Sequence, residues 1–120
     1  MGKSRASMKE SDIEAILVKE VKALGGRAYK FVSPGNSGVP DRIVVLPYGR
    51  VIFVELKTDT GQLTALQRVQ IDRLQDLGAD TCVVRGIRGL CEFFAMVGAH
   101  DTAGRLANRY TSESNGGCVL

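Results

Sequence analysis

The stretch PDRIVVLPYGRVIFVELK, from Pro40 to Lys57, decides the fold. Two runs rich in β-branched residues flank a Pro-Tyr-Gly turn at 47–49, and this pattern predicts a β-hairpin. Charged residues stand at its open end, where Asp41 begins the first run and Glu55 and Lys57 end the second. A hairpin with charge at one end of otherwise apolar strands indicates a site there rather than a plain core.

The register of this hairpin follows from its turn. If the turn comprises residues 47–49, Leu46 pairs with Arg50, and counting along the ladder places Asp41 opposite Glu55. Opposed residues share a face, with Cβ atoms roughly 4.5–5.5 Å apart, and Lys57 shares that face because it is two residues from Glu55. A slip of one residue would move these side chains to different faces.

Two opposed carboxylates repel each other by about 4 kcal/mol at an effective dielectric constant of 20. Such a pair can share a proton, or it can bind a divalent cation. Carboxylate oxygens suit Mg²⁺ or Mn²⁺, and Lys57 beside them could orient a water molecule or stabilise charge on a phosphate. Together with a metal ion, these residue types fit the hydrolysis of phosphodiester bonds.

Two helices flank the hairpin in the sequence. Apolar spacing predicts the first over 11–24, with Glu10 inside its apolar stripe and Glu14 towards the edge. Glu10 then either joins the site or simply favours the positive end of the helix dipole. The second helix is predicted over 63–77, with Gln67 inside a core face formed by five apolar residues: Leu63, Leu66, Val69, Leu74 and Leu77.

The rest of the chain completes an α/β pattern. It predicts a strand over 27–32, a loop over 33–40, a strand over 80–85 and a helix over 87–97. Residues 1–8 are predicted to be a flexible leader, residues 9–97 the domain, and residues 98–120, rich in Gly, Ser and Asn, a flexible tail.

Composition excludes several classes of protein. No apolar run approaches the roughly 18 residues of a membrane span, so we expect no membrane association and a cytoplasmic protein. The three cysteines match no metal spacing, and a single histidine, His100, argues against a zinc hydrolase. There is no phosphate-binding P-loop.

The order of motifs resembles the VRR-NUC branch of the PD-(D/E)XK nuclease superfamily. Pro40-Asp41 is followed after thirteen residues by Glu55-Leu56-Lys57, and the resemblance extends over roughly residues 9–95. Its further elements are Lys9-Glu10, Gly25-Gly26, Tyr29-Lys30-Phe31, Gly38-Val39-Pro40-Asp41-Arg42, Leu66-Gln67, Leu77-Gly78 and Cys82-Val83-Val84.

This resemblance implies a restriction-endonuclease-like core, in which helices flank a central mixed β-sheet. It implies a Mg²⁺- or Mn²⁺-dependent DNA endonuclease of a stand-alone phage or bacterial type, similar to homodimeric Holliday-junction resolvases of DNA repair. Asp41, Glu55 and the backbone carbonyl of Leu56 would be metal ligands, with Glu10 completing the shell directly or through water. Glu10, Asp41, Glu55, Lys57 and Gln67 would be catalytic. Lys30, Asn36 and Arg42 are the candidate DNA contacts.

Two other interpretations of the same residues are open. The protein could bind branched DNA without cutting it, although a pure binder has no need for an acidic cluster near phosphates. Alternatively, Asp41 and Glu55 could form ordinary salt bridges with Arg42 or Lys57 in a structural domain.

Overall fold

The computed structural model describes residues 8–111. In chain order it contains α1 (Glu10–Ala23), β1 (Arg27–Lys30), β2 (Arg42–Leu46), a 3-10 turn (Pro47–Gly49), β3 (Arg50–Lys57), α2 (Ala65–Asp76), β4 (Thr81–Arg85), α3 (Gly86–Met96) and α4 (His100–Thr111). The strands lie in the order β1-β2-β3-β4; β1, β2 and β3 are antiparallel, and β4 runs parallel to β3. The predicted α/β class, with a mixed sheet flanked by helices, is confirmed.

The hairpin turn has the predicted length. Leu46 pairs with Arg50 across the 3-10 turn. Tyr48 and Gly49 have positive φ angles of 69° and 79°, and these left-handed conformations reverse the chain within three residues. The turn therefore sets the register on which the charged end of the hairpin depends.

The ladder between β2 and β3 continues to the pair Arg42 and Val54. One further step places Asp41 across from Glu55, at the end of the hairpin away from the turn. Asp41 is also held on its other side, where its carbonyl accepts a hydrogen bond from the N–H of Phe31 at 2.9 Å. The predicted register of the hairpin is confirmed.

One face of the sheet forms the core beneath α1 and α3. Its apolar side chains alternate with those of the opposite face, as the pleat of a β-strand requires. The core is made of Ala28, Val44, Leu46, Ile52, Val54, Leu56 and Val84 from the sheet, Ile13, Leu17 and Val21 from α1, and Ile87, Leu90, Phe93 and Phe94 from α3.

The opposite face of the sheet, here called the open face, is covered much less. Its apolar side chains are Tyr29, Phe31, Ile43, Val45, Val51, Phe53 and Val83. Tyr29 and Val51 are exposed and the other five are half-buried. Asp41, Glu55 and Lys57 lie on the same face at its end away from the turn, where Glu55 and Lys57 are buried.

The predicted core face of the second helix is wrong for three of its five apolar residues, whereas Leu63 and Leu74 are half-buried. Leu66, Val69 and Leu77 are exposed, Leu77 to 79%, whereas Ile71 is buried. The inward-facing stripe of α2 is narrow: Ile71 is buried, and Gln67, Gln70 and Leu74 are half-buried. The helix contacts Gly38 in the loop before β2 and the strand β4. Apolar spacing alone does not show which side of a helix faces the rest of the domain.

The predicted flexible tail over 98–120 is wrong for residues 100–111, which form α4. Leu106 and Thr102 are buried against the rest of the domain. The guanidinium of Arg105 also donates to both carboxylate oxygens of Glu20 on α1, at 2.9 and 3.0 Å. This bidentate pair holds the pKa of Glu20 below its ordinary value, against the opposing effect of burial.

The predicted leader lies outside the described residues, apart from Met8, and so do residues 112–120 with Cys118. Cys82 and Cys91 are free thiols, and burial raises the pKa of both, that of Cys82 to about 12. The expectation of free thiols is met for these two residues, and neither has the lowered pKa of a reactive cysteine.

Candidate active site

Asp41 stands directly before β2 and faces the end of β3. Its Oδ2 accepts a hydrogen bond of 2.8 Å from the backbone N–H of Leu56. The N–H and C=O of one strand residue point to the same side, so the carbonyl of Leu56 also faces the Asp41 side of β3. Asp41 and the Leu56 carbonyl are thereby brought together, as expected for two ligands of one cation.

Glu55 is the most unusual charged residue of the site. Its side chain is 1% exposed, and its Oε1 is buried without a hydrogen-bond partner among the described residues. Burial, together with the negative charges of Asp41 and Glu10, raises the pKa of Glu55 to about 7 against the opposing effect of Lys57. A buried carboxylate oxygen without a partner is costly, so this atom indicates a missing binding partner.

Lys57 supplies the positive charge of the cluster. Its Nζ lies 3.6 Å from Oε2 of Glu55, and its side chain is 11% exposed. Gly61 packs closely against it: a Cβ atom at Gly61 would lie 3.3 Å from Cδ of Lys57. This contact restricts the side chain of Lys57, so that its ammonium group stays beside Glu55 instead of moving freely in solvent.

Glu10 is the first residue of α1 and is exposed. The prediction that it lies within the buried stripe of the helix is wrong, because it precedes the first inward-facing residue, Ile13. Its negative charge nevertheless raises the pKa of Glu55, which places Glu10 within electrostatic reach of the site.

Gln67 lies at the start of α2, where its side chain caps the helix. Its Oε1 accepts the N–H of Thr64 at 2.9 Å, while its own N–H donates to Oγ1 of Thr64 at 3.1 Å. This reciprocal arrangement is a capping box. The loop before β2 reaches the same helix start, since a Cβ at Gly38 would lie 2.6 Å from the carbonyl carbon of Leu66.

The three candidate DNA contacts have different surroundings. Lys30 is exposed at the end of β1, and Asn36 is exposed in the following loop, where it donates to Oγ of Ser33 at 2.9 Å. Arg42 is half-buried, and its guanidinium donates to Oε2 of Glu14 at 2.8 Å and to the carbonyl of Ala28 at 2.9 Å. Lys30 and Asn36 are thus accessible, whereas Arg42 already has two partners.

The donor set fits a hard divalent cation better than a soft one. Within residues 8–111, no three His, Cys, Asp or Glu side chains form a cluster that could hold a metal ion. The oxygens of Asp41, Glu55 and the Leu56 carbonyl would leave several positions to water, as Mg²⁺ and Mn²⁺ sites commonly do. The unpartnered Oε1 of Glu55 is the atom that such an ion would satisfy.

Two contacts near this site were not predicted from the sequence. Glu14 pairs with Arg42, although the sequence indicated only that Glu14 lies towards the edge of the apolar stripe of its helix. Arg85 lies opposite Lys57 in the β3–β4 ladder. That pairing depends on β4 running parallel to β3, and no local sequence signal fixes the neighbour of a strand that follows a helix.

The fold and the site together define a class: an α/β protein with two carboxylates and a lysine at the end of a mixed sheet. The VRR-NUC domain model matches residues 4–87, and the chain belongs to the VRR-NUC nuclease family. A curated relative, "Putative nuclease p44" of Acyrthosiphon pisum secondary endosymbiont phage 1, is 49% identical over 77 residues, which is 64% of this chain and 83% of that protein.

A solved structure described as a VRR_NUC domain is similar as well. It has a TM-score of 0.61 and 25% sequence identity, and the match covers 87% of this chain and 99% of that one. This structural similarity agrees with the mixed sheet flanked by helices described above. No helix within residues 8–111 has the length and hydropathy needed to cross a membrane.

Proposed function

We propose that this nuclease is an endonuclease that hydrolyses phosphodiester bonds in structured DNA, including Holliday junctions and other branched forms, with Mg²⁺ or Mn²⁺. The observation that carries the proposal is the buried, unpartnered Oε1 of Glu55 beside Asp41. The ionised form of a carboxylate that is shielded from water is unfavourable by itself, which is why its pKa is raised. It becomes favourable when a bound cation neutralises its charge.

The roles of the residues follow from their contacts. When bound, the ion would supply positive charge to phosphate oxygens and make a water molecule more acidic. Asp41 is oriented by the Leu56 N–H, which leaves its second oxygen free of hydrogen bonds to the described residues. Lys57, confined beside Glu55, is placed to stabilise the negative charge that develops on a phosphate during hydrolysis.

A cleavage panel tests this proposal. Purified protein is incubated with four-way junctions, flaps, hairpins and linear duplex at fixed salt, with Mg²⁺, Mn²⁺ or EDTA. We expect cutting of branched DNA with either metal and none with EDTA. Asp41→Asn, which preserves the shape of the side chain, and Lys57→Gln should each lower the rate by about 100-fold or more, the scale of losing one electrostatic contact to a transition state.

Lys22→Gln is the matched control. Lys22 is exposed in the last turn of α1, and twelve residues of helix separate it from Glu10 by about 18 Å. This variant loses the same charge as Lys57→Gln and should cut normally. If the wild-type protein binds junctions but neither cuts them nor takes up Mn²⁺ in calorimetry, the protein is a binding module and the proposal fails.

We also propose that the protein acts as a homodimer. Within residues 8–111, the open face presents seven apolar side chains that are not fully buried, of which Tyr29 and Val51 are exposed. Two copies related by a two-fold axis could cover this surface and present two sites to two strands of a branched DNA. Exposed apolar area of this kind is typical of association surfaces.

A further inference from the structure

A cleft of about 560 Å³ lies beside the candidate active site, at the carboxyl ends of β3 and β4 and the start of α3. Its lining includes Arg85, Gly86, Arg88 and Glu92 from β4 and α3, and Asp59 from the loop after β3. The two strands are parallel, so their carboxyl ends lie at the same edge of the sheet as Lys57. The cleft is therefore adjacent to the candidate site, to which it is joined by Arg85, the ladder partner of Lys57.

Arg85 connects the cleft to Lys57. The two residues are paired in the β3–β4 ladder, so they share a face at about 4.8 Å separation between strands. Nε of Arg85 donates to the carbonyl of Gly61 at 3.1 Å, and Gly61 packs against the side chain of Lys57. One edge of the guanidinium is thus fixed by the backbone, while its two terminal nitrogens make no hydrogen bond to residues 8–111.

Arg88 is the third residue of α3, the helix for which Arg85 is the N-cap residue, and it is exposed. The N-cap residue and the third helical residue flank the same first turn, as in a capping box. In the described part of the chain, neither arginine forms an ion pair, although Asp59 and Glu92 line the same cleft. The Asp59 carboxylate instead lies over Gly86, at the positive end of the α3 dipole.

We infer that this cleft binds the sugar-phosphate backbone of the substrate next to the scissile bond, with Arg85 and Arg88 contacting successive phosphates. The inference rests on the proposed nuclease function. A planar guanidinium donates two parallel hydrogen bonds to a phosphate. Lys57, Arg85 and Arg88 form a row of positive charges, along which a single DNA strand would lead away from the candidate site. Arg85 and Arg88 would position the strand, whereas Lys57 acts at the reacting phosphate.

The experiment measures binding separately from cutting. The variant Asp41→Asn, in which cleavage is expected to be suppressed, serves as the background. Its affinity for a labelled four-way junction is measured by fluorescence anisotropy between 50 and 200 mM salt. Losing one phosphate contact should lower the slope of log affinity against log salt by about 1. We expect this change for Arg88→Gln, together with a roughly tenfold weaker affinity, and no change for Lys22→Gln.

A second measurement locates the contact on the DNA. In the unblocked enzyme, one phosphate at a time is replaced by a neutral methylphosphonate around the cut site, and cleavage is measured. At one phosphate near the cut, the methylphosphonate should slow cleavage by the wild-type enzyme. It should not slow cleavage by Arg88→Gln any further, because that variant has already lost its contact to this phosphate. Arg85→Lys keeps the positive charge but not the planar guanidinium. Its cleavage rate should likewise not respond to a methylphosphonate one phosphate closer to the cut.

The outcomes separate the two proposals. If wild-type enzyme cuts junctions while Arg88→Gln and Arg85→Lys keep the wild-type salt slope and methylphosphonate profile, the cleft does not bind the backbone and the nuclease proposal stands. If the wild-type chain neither binds nor cuts DNA, both proposals are overturned. Melting curves of each variant verify that the fold is intact.

Discussion

Burial governs the energetics of Glu55. A carboxylate that is 1% exposed has lost nearly all its hydration, and Asp41 adds a second negative charge while Lys57 compensates only in part. In the metal-free protein this combination favours the protonated form. The same residue therefore links the stability of the fold to the pH and, under the proposed function, to the binding of a cation.

This linkage gives a prediction with a definite sign. The pKa of Glu55 rises from its ordinary value of 4.5 to about 7 on folding, so the folded state retains a proton that the unfolded chain releases. The free energy of unfolding of metal-free protein should fall as the pH rises from about 4.5 through 7, by up to about 3 kcal/mol. Urea denaturation at several pH values in EDTA measures it.

Glu55→Gln is the control for this pH dependence. The amide does not titrate, so the variant should lose most of the fall in stability and be more stable than wild type at pH 8 without metal. Adding Mn²⁺ should raise the melting temperature of wild type and not that of the variant. Equal pH slopes for the two proteins would contradict the burial argument.

Single residues also mark where sequence reasoning stops. The register that opposes Asp41 to Glu55 was predictable because it depends on a three-residue turn and counting. The ion pair of Arg42 with Glu14 was not, because it depends on the packing of α1 against the sheet. The cap formed by Gln67 could have been predicted, because Thr64 and Gln67 have the local Thr-x-x-Gln spacing of a capping box. Local patterns fix strand faces and helix caps, whereas they leave long-range side-chain partners open.

At the scale of elements, α4 shows how composition can mislead. Gly104 and Asn108 suggested a flexible tail, yet Thr102, Leu106 and Tyr110 recur at intervals of four on one helix face. That spacing was present in the sequence and typical of a packed helix. The helix belongs to the domain because its apolar stripe has a partner in the core.

Leu106→Ala tests whether α4 stabilises the domain. Leu106 is 2% exposed, and truncating a buried leucine commonly costs about 2–5 kcal/mol. We expect the free energy of unfolding to fall within this range in urea denaturation. Asn108→Ala, an exposed position on the same helix, should change it by less than about 0.5 kcal/mol. A neutral Leu106→Ala would mean that residues 98–111 behave as the tail that composition suggested.

At the scale of the whole molecule, the sheet separates two surfaces. The core face carries α1 and α3, and the open face carries the candidate site at one end and uncovered apolar residues elsewhere. Sequence patterning predicted two-sided strands, but it could not show where α2 would pack or that Tyr29 and Val51 would remain exposed on the open face. That placement is a tertiary outcome, and the proposed association with a second copy would cover these residues.

Val51→Glu tests this association. Val51 is 42% exposed on the open face and lies four residues, about 13 Å along the strand, from Glu55. Sedimentation velocity should show a dimer for the wild-type protein and a monomer for the variant, because two buried glutamates would meet without partners at a two-fold interface.

Leu77→Glu, on the outer face of α2, is the matched control and should stay dimeric. With Val51→Glu, cutting of four-way junctions should fall more than cutting of flaps, since a junction needs two sites held together while a flap needs one. A wild-type protein that sediments as a monomer at micromolar concentration would refute the dimer. A dimer disrupted by Leu77→Glu and not by Val51→Glu would move the interface to α2, where Leu66, Val69 and Leu77 form the alternative apolar surface.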